Sequence, residues 1–98
     1  MEKQRNEQWV VVTTDKDRKG VFFGNIVSEE EDVVILEDAR MAVYWSSDSK
    51  GVLGLASIGP QDGSRITPPV PKLKVNGVTS VIYCTDIAIK QWEAAPWN

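Results

Sequence analysis

An α+β fold is what this sequence predicts: a small bent antiparallel sheet or partial β-barrel, with a short central helix and a C-terminal helix. Three observations predict it. β-Branched runs separated by short charged turns fill the first half, in "WVVVTT", "GVFFGNIVS" and "VVILEDARMAVYW". The middle segment "SSDSKGVLGLASIGP" turns to Leu, Ala and Gly. The last segment, "TDIAIKQWEAAPW", carries helical periodicity. Strands first, then a short helix, a strand and a terminal helix make an α+β order.

Each element has its own justification. Residues 1–8 are polar and form a lead-in; residues 9–98 form one small domain. "WVVVTT", Trp9 to Thr14, is short and β-branched, which predicts a strand buried on both faces or nearly so. "DKDRKG" is a turn. Gly20 to Ser28 is the second strand, and Gly24 in its middle predicts a bulge or sharp bend. Glu29 to Asp32 is the next turn. Val33 to Trp45 reads as a strand, a break near Glu37–Asp38, and a second strand. Together these make a three-stranded meander.

From Ser46, one or two helical turns are predicted, ended by Gly59–Pro60. Gly51 and Gly54 weaken that helix, and a loop with a single helical turn is the alternative. "QDGSRITPPVPK" is a loop with a short extended piece around Arg65–Ile66. "LKVNGVTSVIYCT" is β. Asn76–Gly77 is either a two-residue hairpin turn or a kink before one strand, Val78 to Cys84. The final helix is capped by Thr85, has Asp86 in its first turn, and stops before Pro96. Ala88, Trp92 and Ala95 share its inner face, with Ile89 beside them.

Composition bounds the function. The chain has 98 residues, 42% of them hydrophobic and 26% charged, which is globular composition. A domain this short buries a modest core, so a homo-oligomer is expected. The formal charge of −3 argues against duplex DNA as a partner, because basic clusters carry that affinity. One cysteine, Cys84, and no histidine exclude an internal disulfide and make a structural zinc site unexpected. They also remove Ser-His-Asp and Cys-His catalysis within one chain. Neither an enzyme nor a cofactor is expected. "MEKQRNEQW" has no apolar h-region and no apolar run is long enough to span a bilayer, so a cytoplasmic protein without a membrane partner is expected.

Glu29 to Asp32 lacks the spacing and glycine of a calcium loop and reads as a solvated turn. Asp15 and Asp17 flank Lys16 in an exposed turn, a poor place for paired acid–base carboxylates. Cys84 has no base and reads as an inert thiol. "GVLGLASIGPQDGS" matches no named phosphate loop, although "DGSR" sets a hydroxyl and Arg65 beside glycine backbone.

The sharpest feature is "ARMAVYWSS", Ala39 to Ser47. On a regular strand Met41, Val43 and Trp45 share the core face, while Arg40, Ala42 and Tyr44 share the other. A ring stacks on a base, and a guanidinium offers paired donors to a phosphate. The candidate ligand-binding set is therefore Arg40, Tyr44, Trp45, Ser47 and Arg65. The plainer reading packs Tyr44 in a small cluster and pairs Arg40 with Asp38 or Glu37.

"RKGVFFGNI", "LEDARMAVYWSSDSKGVLGLASIGP", "GSRI" and "GVTSVIYCT…WEAAPW" together resemble a family of small phage- and prophage-encoded proteins that carries an unknown-function label. The resemblance implies a phage product made inside a bacterial host, and it brings no site residues. A fainter likeness is to Sm-like proteins, through "GVFFGNIVSEEEDVVILEDA". The Sm asparagine and the later Arg-Gly motif have no match, so shared small-barrel physics is what it implies. The function expected is a non-enzymatic phage accessory protein that antagonises host defence by binding, sequestering a nucleotide-type signalling ligand. The alternatives are a protein–protein inhibitor of a host defence protein, a phage structural or assembly component, and an Sm-like RNA-binding barrel.

Overall fold

The computed structural model describes residues 8–14 and 20–95. The lead-in before Gln8, the Asp15–Asp17 turn and Pro96 lie outside the described residues. Strands β1 (Trp9–Thr14), β2 (Gly20–Glu30) and β3 (Val33–Tyr44) follow one another as antiparallel neighbours, which is the expected meander. A 3₁₀ turn (Ser47–Ser49) leads into helix α1 (Gly51–Ser57). Strands β4 (Arg65–Ile66), β5 (Val70–Val75) and β6 (Val78–Tyr83) come next, and helix α2 (Asp86–Ala94) closes the fold. The sheet is six-stranded, antiparallel and not closed, in the order β4-β3-β2-β1-β6, with β5 also on β3.

β1 explains why the sheet has two buried sides. Val10, Val11 and Val12 are all fully buried. Val11 joins Val21, Phe23, Ala42, Leu55, Ile66, Ala88 and Trp92 in a core beneath the helices. Val10 and Val12 join Val34, Leu36, Ala39 and Val75 in a second core on the other side of the sheet. Each fully buried Val, Leu, Ile or Phe among them contributes about 1.5–3 kcal/mol when removed from water.

The expected break near Glu37–Asp38 is a bulge inside one continuous strand. Asp38 adopts φ 52°, and the register jumps from Phe23↔Arg40 to Asn25↔Glu37. The partner strand bears Gly24 here. A Cβ on it would sit 2.9 Å from Leu36 Cβ and 3.1 Å from the Glu37 carbonyl oxygen. The extra residue inverts the alternation of inward and outward side chains. Val34 and Leu36 face the second core before the bulge, as Ala39 does after it, while Ala42 faces the helices.

Met41 and Val43 are therefore not on the core face, whereas Trp45, beyond a second register shift between Ala42 and Tyr44, packs against the helix-side core as expected. Arg40 and Ala42 are buried, Val43 is exposed, and Met41 and Trp45 are half-buried.

Asn76–Gly77 is a corner and not a hairpin turn. β5 pairs with β3 and β6 pairs with β1, so the two strands lie on opposite edges of the sheet. Gly77 makes the corner with φ 72°, and the Val78 amide donates to the Asp32 carbonyl at 2.9 Å.

Both helices form where expected. Thr85 caps α2, its hydroxyl accepting from the Ala88 amide at 3.1 Å. α1 tolerates Gly54 because the position admits nothing larger: a Cβ there would collide with the Ser49 carbonyl oxygen. No described helix is long and apolar enough to cross a membrane.

Candidate functional site

Arg40 reaches the core because the Asp38 bulge turns it toward the helices. It is 5% exposed. Its Nε donates to the Thr67 carbonyl at 2.8 Å, Nη1 to the Trp92 carbonyl at 2.6 Å and Nη2 to the Ala95 carbonyl at 2.9 Å. The last two acceptors belong to the C-terminal end of α2, where helical carbonyls lack partners and the dipole is negative. Burial lowers the guanidinium's pKa, yet Arg remains protonated in proteins. Arg40 is a tertiary cap of α2. It forms no pair with Asp38 or Glu37, and its guanidinium is buried against α2 while Tyr44 is exposed.

Tyr44 and Arg65 are brought together. They are register partners across β3 and β4, and both are exposed. Among the described residues, neither the Tyr44 hydroxyl nor the Arg65 guanidinium has a hydrogen-bond or ion-pair partner. Ser47 is exposed three residues after Tyr44. A net of hydroxyls fixes this end of the sheet. The Ser46 amide donates to Ser64 Oγ at 3.1 Å, and the Gln61 amide donates to buried Ser49 Oγ at 3.0 Å. On the other side of β4, the Met41 amide donates to Thr67 Oγ1 at 2.9 Å. Ring, guanidinium and hydroxyl thus stand on a braced surface.

Trp45 goes elsewhere. It packs against the helix-side core and lines an apolar groove of about 400 Å³ with Val21, Val52, Leu53 and Ile82. The five predicted residues therefore divide among three places: Arg40 under α2, Trp45 in the groove, and Tyr44, Ser47 and Arg65 at the open end of β3 and β4.

Sequence reasoning missed another concavity of about 240 Å³, lined by Trp9, Phe23, Asp38, Arg40, Pro69 and Glu93. Trp9, Phe23 and Trp92 stack there, with ring centroids 5.2 and 4.8 Å apart. These residues come from five separate segments, and no local motif could have joined them.

Cys84 is half-buried at the end of β6, and burial pushes its thiol from the ordinary 9.0 up to about 12. A raised thiol pKa opposes nucleophilic chemistry. In the unfolded chain the thiol ionises near its ordinary value, so deprotonation favours the unfolded state above that pH. The Cys84 contribution to stability is expected to hold to about pH 9 and to fall from there to pH 12. Urea titrations on either side of pH 9 check this, and Cys84→Ala should flatten the decline. No group of three or more His, Cys, Asp or Glu stands together among the described residues as a metal site would need.

Residues 7–92 match the model of a domain of unknown function, DUF6948, and the chain belongs to that family. No curated protein and no solved structure matches it.

Proposed function

We propose that this member of the DUF6948 family is a non-catalytic binding protein, whose recognition surface is the exposed Tyr44–Arg65 pair with Ser47 beside it. The ligand is of nucleotide type: a base stacks on the Tyr44 ring and a phosphate meets the Arg65 guanidinium. The biological setting is a phage accessory protein that antagonises a host defence by sequestering such a signal in the host cytoplasm. One observation carries the binding reading. Tyr44 and Arg65 are cross-strand partners, exposed, and their side-chain polar groups have no hydrogen-bond or ion-pair partner among the described residues. Arg40 is no longer among the contacts, because three carbonyls already hold its guanidinium. The resemblance to phage and prophage proteins supports the setting.

A second reading, a protein–protein inhibitor, draws on Val43. It is 59% exposed beside Tyr44 at 56%. Tyr and Arg flanked by an apolar side chain are the usual anchors of a protein interface.

The two readings part in one experiment. Isothermal titration with cyclic nucleotides and ADP-ribose is expected to give a saturable isotherm for the wild type. Arg65→Ala and Tyr44→Ala should each weaken binding at least about tenfold, which corresponds to 1.4 kcal/mol. Both variants should keep their unfolding midpoint, since surface substitutions usually stay within about 0.5 kcal/mol. Absence of heat with every nucleotide would count against the nucleotide reading and leave the inhibitor.

A further inference from the structure

β6 ends the sheet on one side, and no described strand pairs with its outer edge. The two edges of the sheet are built differently. β5 carries Pro71, Lys72 and Lys74, the residues that protect an edge from further pairing. β6 reads Val-Thr-Ser-Val-Ile-Tyr, with no charge and no proline. Its hydrogen-bonding parity is fixed. The Cys84 amide donates to the Trp9 carbonyl at 2.9 Å, and Ile82 lies opposite Val11. Residues of that parity face β1, so the backbone groups of Val81 and Tyr83 face outward.

Apolar side chains border this open edge. Leu53, Ile87 and Tyr83 are the three most exposed large hydrophobic residues described, at 69%, 63% and 60%. Tyr83 is on β6 itself. Leu53 lines the apolar groove together with Ser80 and Ile82 of β6. Ile87 lies in the first turn of α2, four residues after Tyr83 ends β6. Tyr83 stands on the Val10 face of the sheet and Leu53 on the helix face, so exposed apolar side chains flank the unpaired strand on both faces.

We infer that β6 pairs antiparallel with β6 of a second copy of this chain, joining two six-stranded sheets about a two-fold axis. The strand supplies what such a partner needs. It is uncharged along its length, so no like charges oppose across the axis. Setting Val81 of each copy opposite Tyr83 of the other satisfies the outward backbone groups of both residues. It also makes two β-branched–aromatic cross-strand pairs, a favourable combination. A small domain with two modest cores gains buried area in this way. A two-fold axis normal to the sheet places both α1 helices on the same face of the joined sheet, with Leu53 of each copy toward the seam. The inference stands apart from the nucleotide proposal, since Tyr44 and Arg65 lie at the other end of the strand order.

Sedimentation equilibrium over the micromolar range tests it. The wild type is expected at about twice the chain mass of 10.9 kDa. Tyr83→Lys puts a charge on the edge, and Val81→Pro removes an outward N–H while sparing the ladder to β1. Both are expected to halve the mass. If Val81→Pro does not fold, as circular dichroism would reveal, Tyr83→Lys decides alone. Amide exchange at Val81 and Tyr83 is expected to be slow in the wild type, and at Val81 fast in the Tyr83→Lys monomer. A wild type with the mass of one chain throughout, or a folded Tyr83→Lys variant that remains dimeric, would overturn the inference.

Discussion

Arg40→Ala is expected to destabilise the domain by about 3 kcal/mol or more, since each buried carbonyl left without its donor costs about 1–3 kcal/mol. The wild-type guanidinium satisfies three carbonyls, and hydrogen bonds to a charged group contribute about 1.5–3 kcal/mol each. Alanine leaves those carbonyls without their protein donor, the Trp92 carbonyl in a buried position. Two of them terminate α2, so the helix loses its tertiary cap and the negative end of its dipole loses its cation. A small domain has only about 5–15 kcal/mol of stability, so the loss is a large share of the total. Arg40→Lys should recover part of it. A single ammonium cannot reproduce a planar fork aimed at three acceptors. Urea unfolding of both variants measures the effect. A loss below about 0.5 kcal/mol for Arg40→Ala would contradict the capping role.

Trp92→Ala is expected to cost about 3–5 kcal/mol, as large aromatic-to-alanine core substitutions do. Trp92 is fully buried and stacks on Phe23 at 4.8 Å with the rings 3° from parallel. Its Nε1 donates to the Leu55 carbonyl at 2.9 Å, tying α2 to α1. One side chain thus joins both helices to the sheet, and its backbone carbonyl is also an Arg40 acceptor. Trp92→Phe keeps most of the ring and loses the indole donor, leaving the Leu55 carbonyl unpaired. That costs about 1–3 kcal/mol. Denaturant unfolding followed by circular dichroism checks the ranking, since fluorescence changes with the residue itself.

Local chemistry made most of the fold legible. The meander follows from β-branched runs and charged turns. The burial of Val10, Val11 and Val12 follows from an unbroken apolar triplet, and α2 announces itself through Thr85, Asp86 and the Ala88–Trp92 spacing. What stayed hidden was long-range or one residue wide. Asp38 in a left-handed conformation inverts the side chains that follow it as far as a second register shift between Ala42 and Tyr44, so the period-two face assignment is reversed for Arg40, Ala42 and Val43. A period-two argument cannot see an inserted residue. The acceptors of Arg40 lie 27, 52 and 55 residues away, beyond any local motif. Asn76–Gly77 has hairpin composition, yet the sheet edges it connects were already paired to β3 and β1. Of the candidate site, the Tyr44–Arg65 association was within reach, since both were assigned to extended segments. Their pairing register was not.

The proposed division of labour is that Arg40 holds the fold while Tyr44, Ser47 and Arg65 hold the ligand. A ¹H–¹⁵N NMR titration of the wild-type protein with a cyclic nucleotide or ADP-ribose tests this most directly. The backbone amides of Tyr44, Ser47 and Arg65 should shift with saturation, while the Arg40 Nε–H signal, fixed on the Thr67 carbonyl, stays in place. Movement of the Arg40 Nε–H together with Trp9, Asp38 and Glu93, with Tyr44 and Arg65 unmoved, would place the ligand in the concavity beneath α2 and contradict the account.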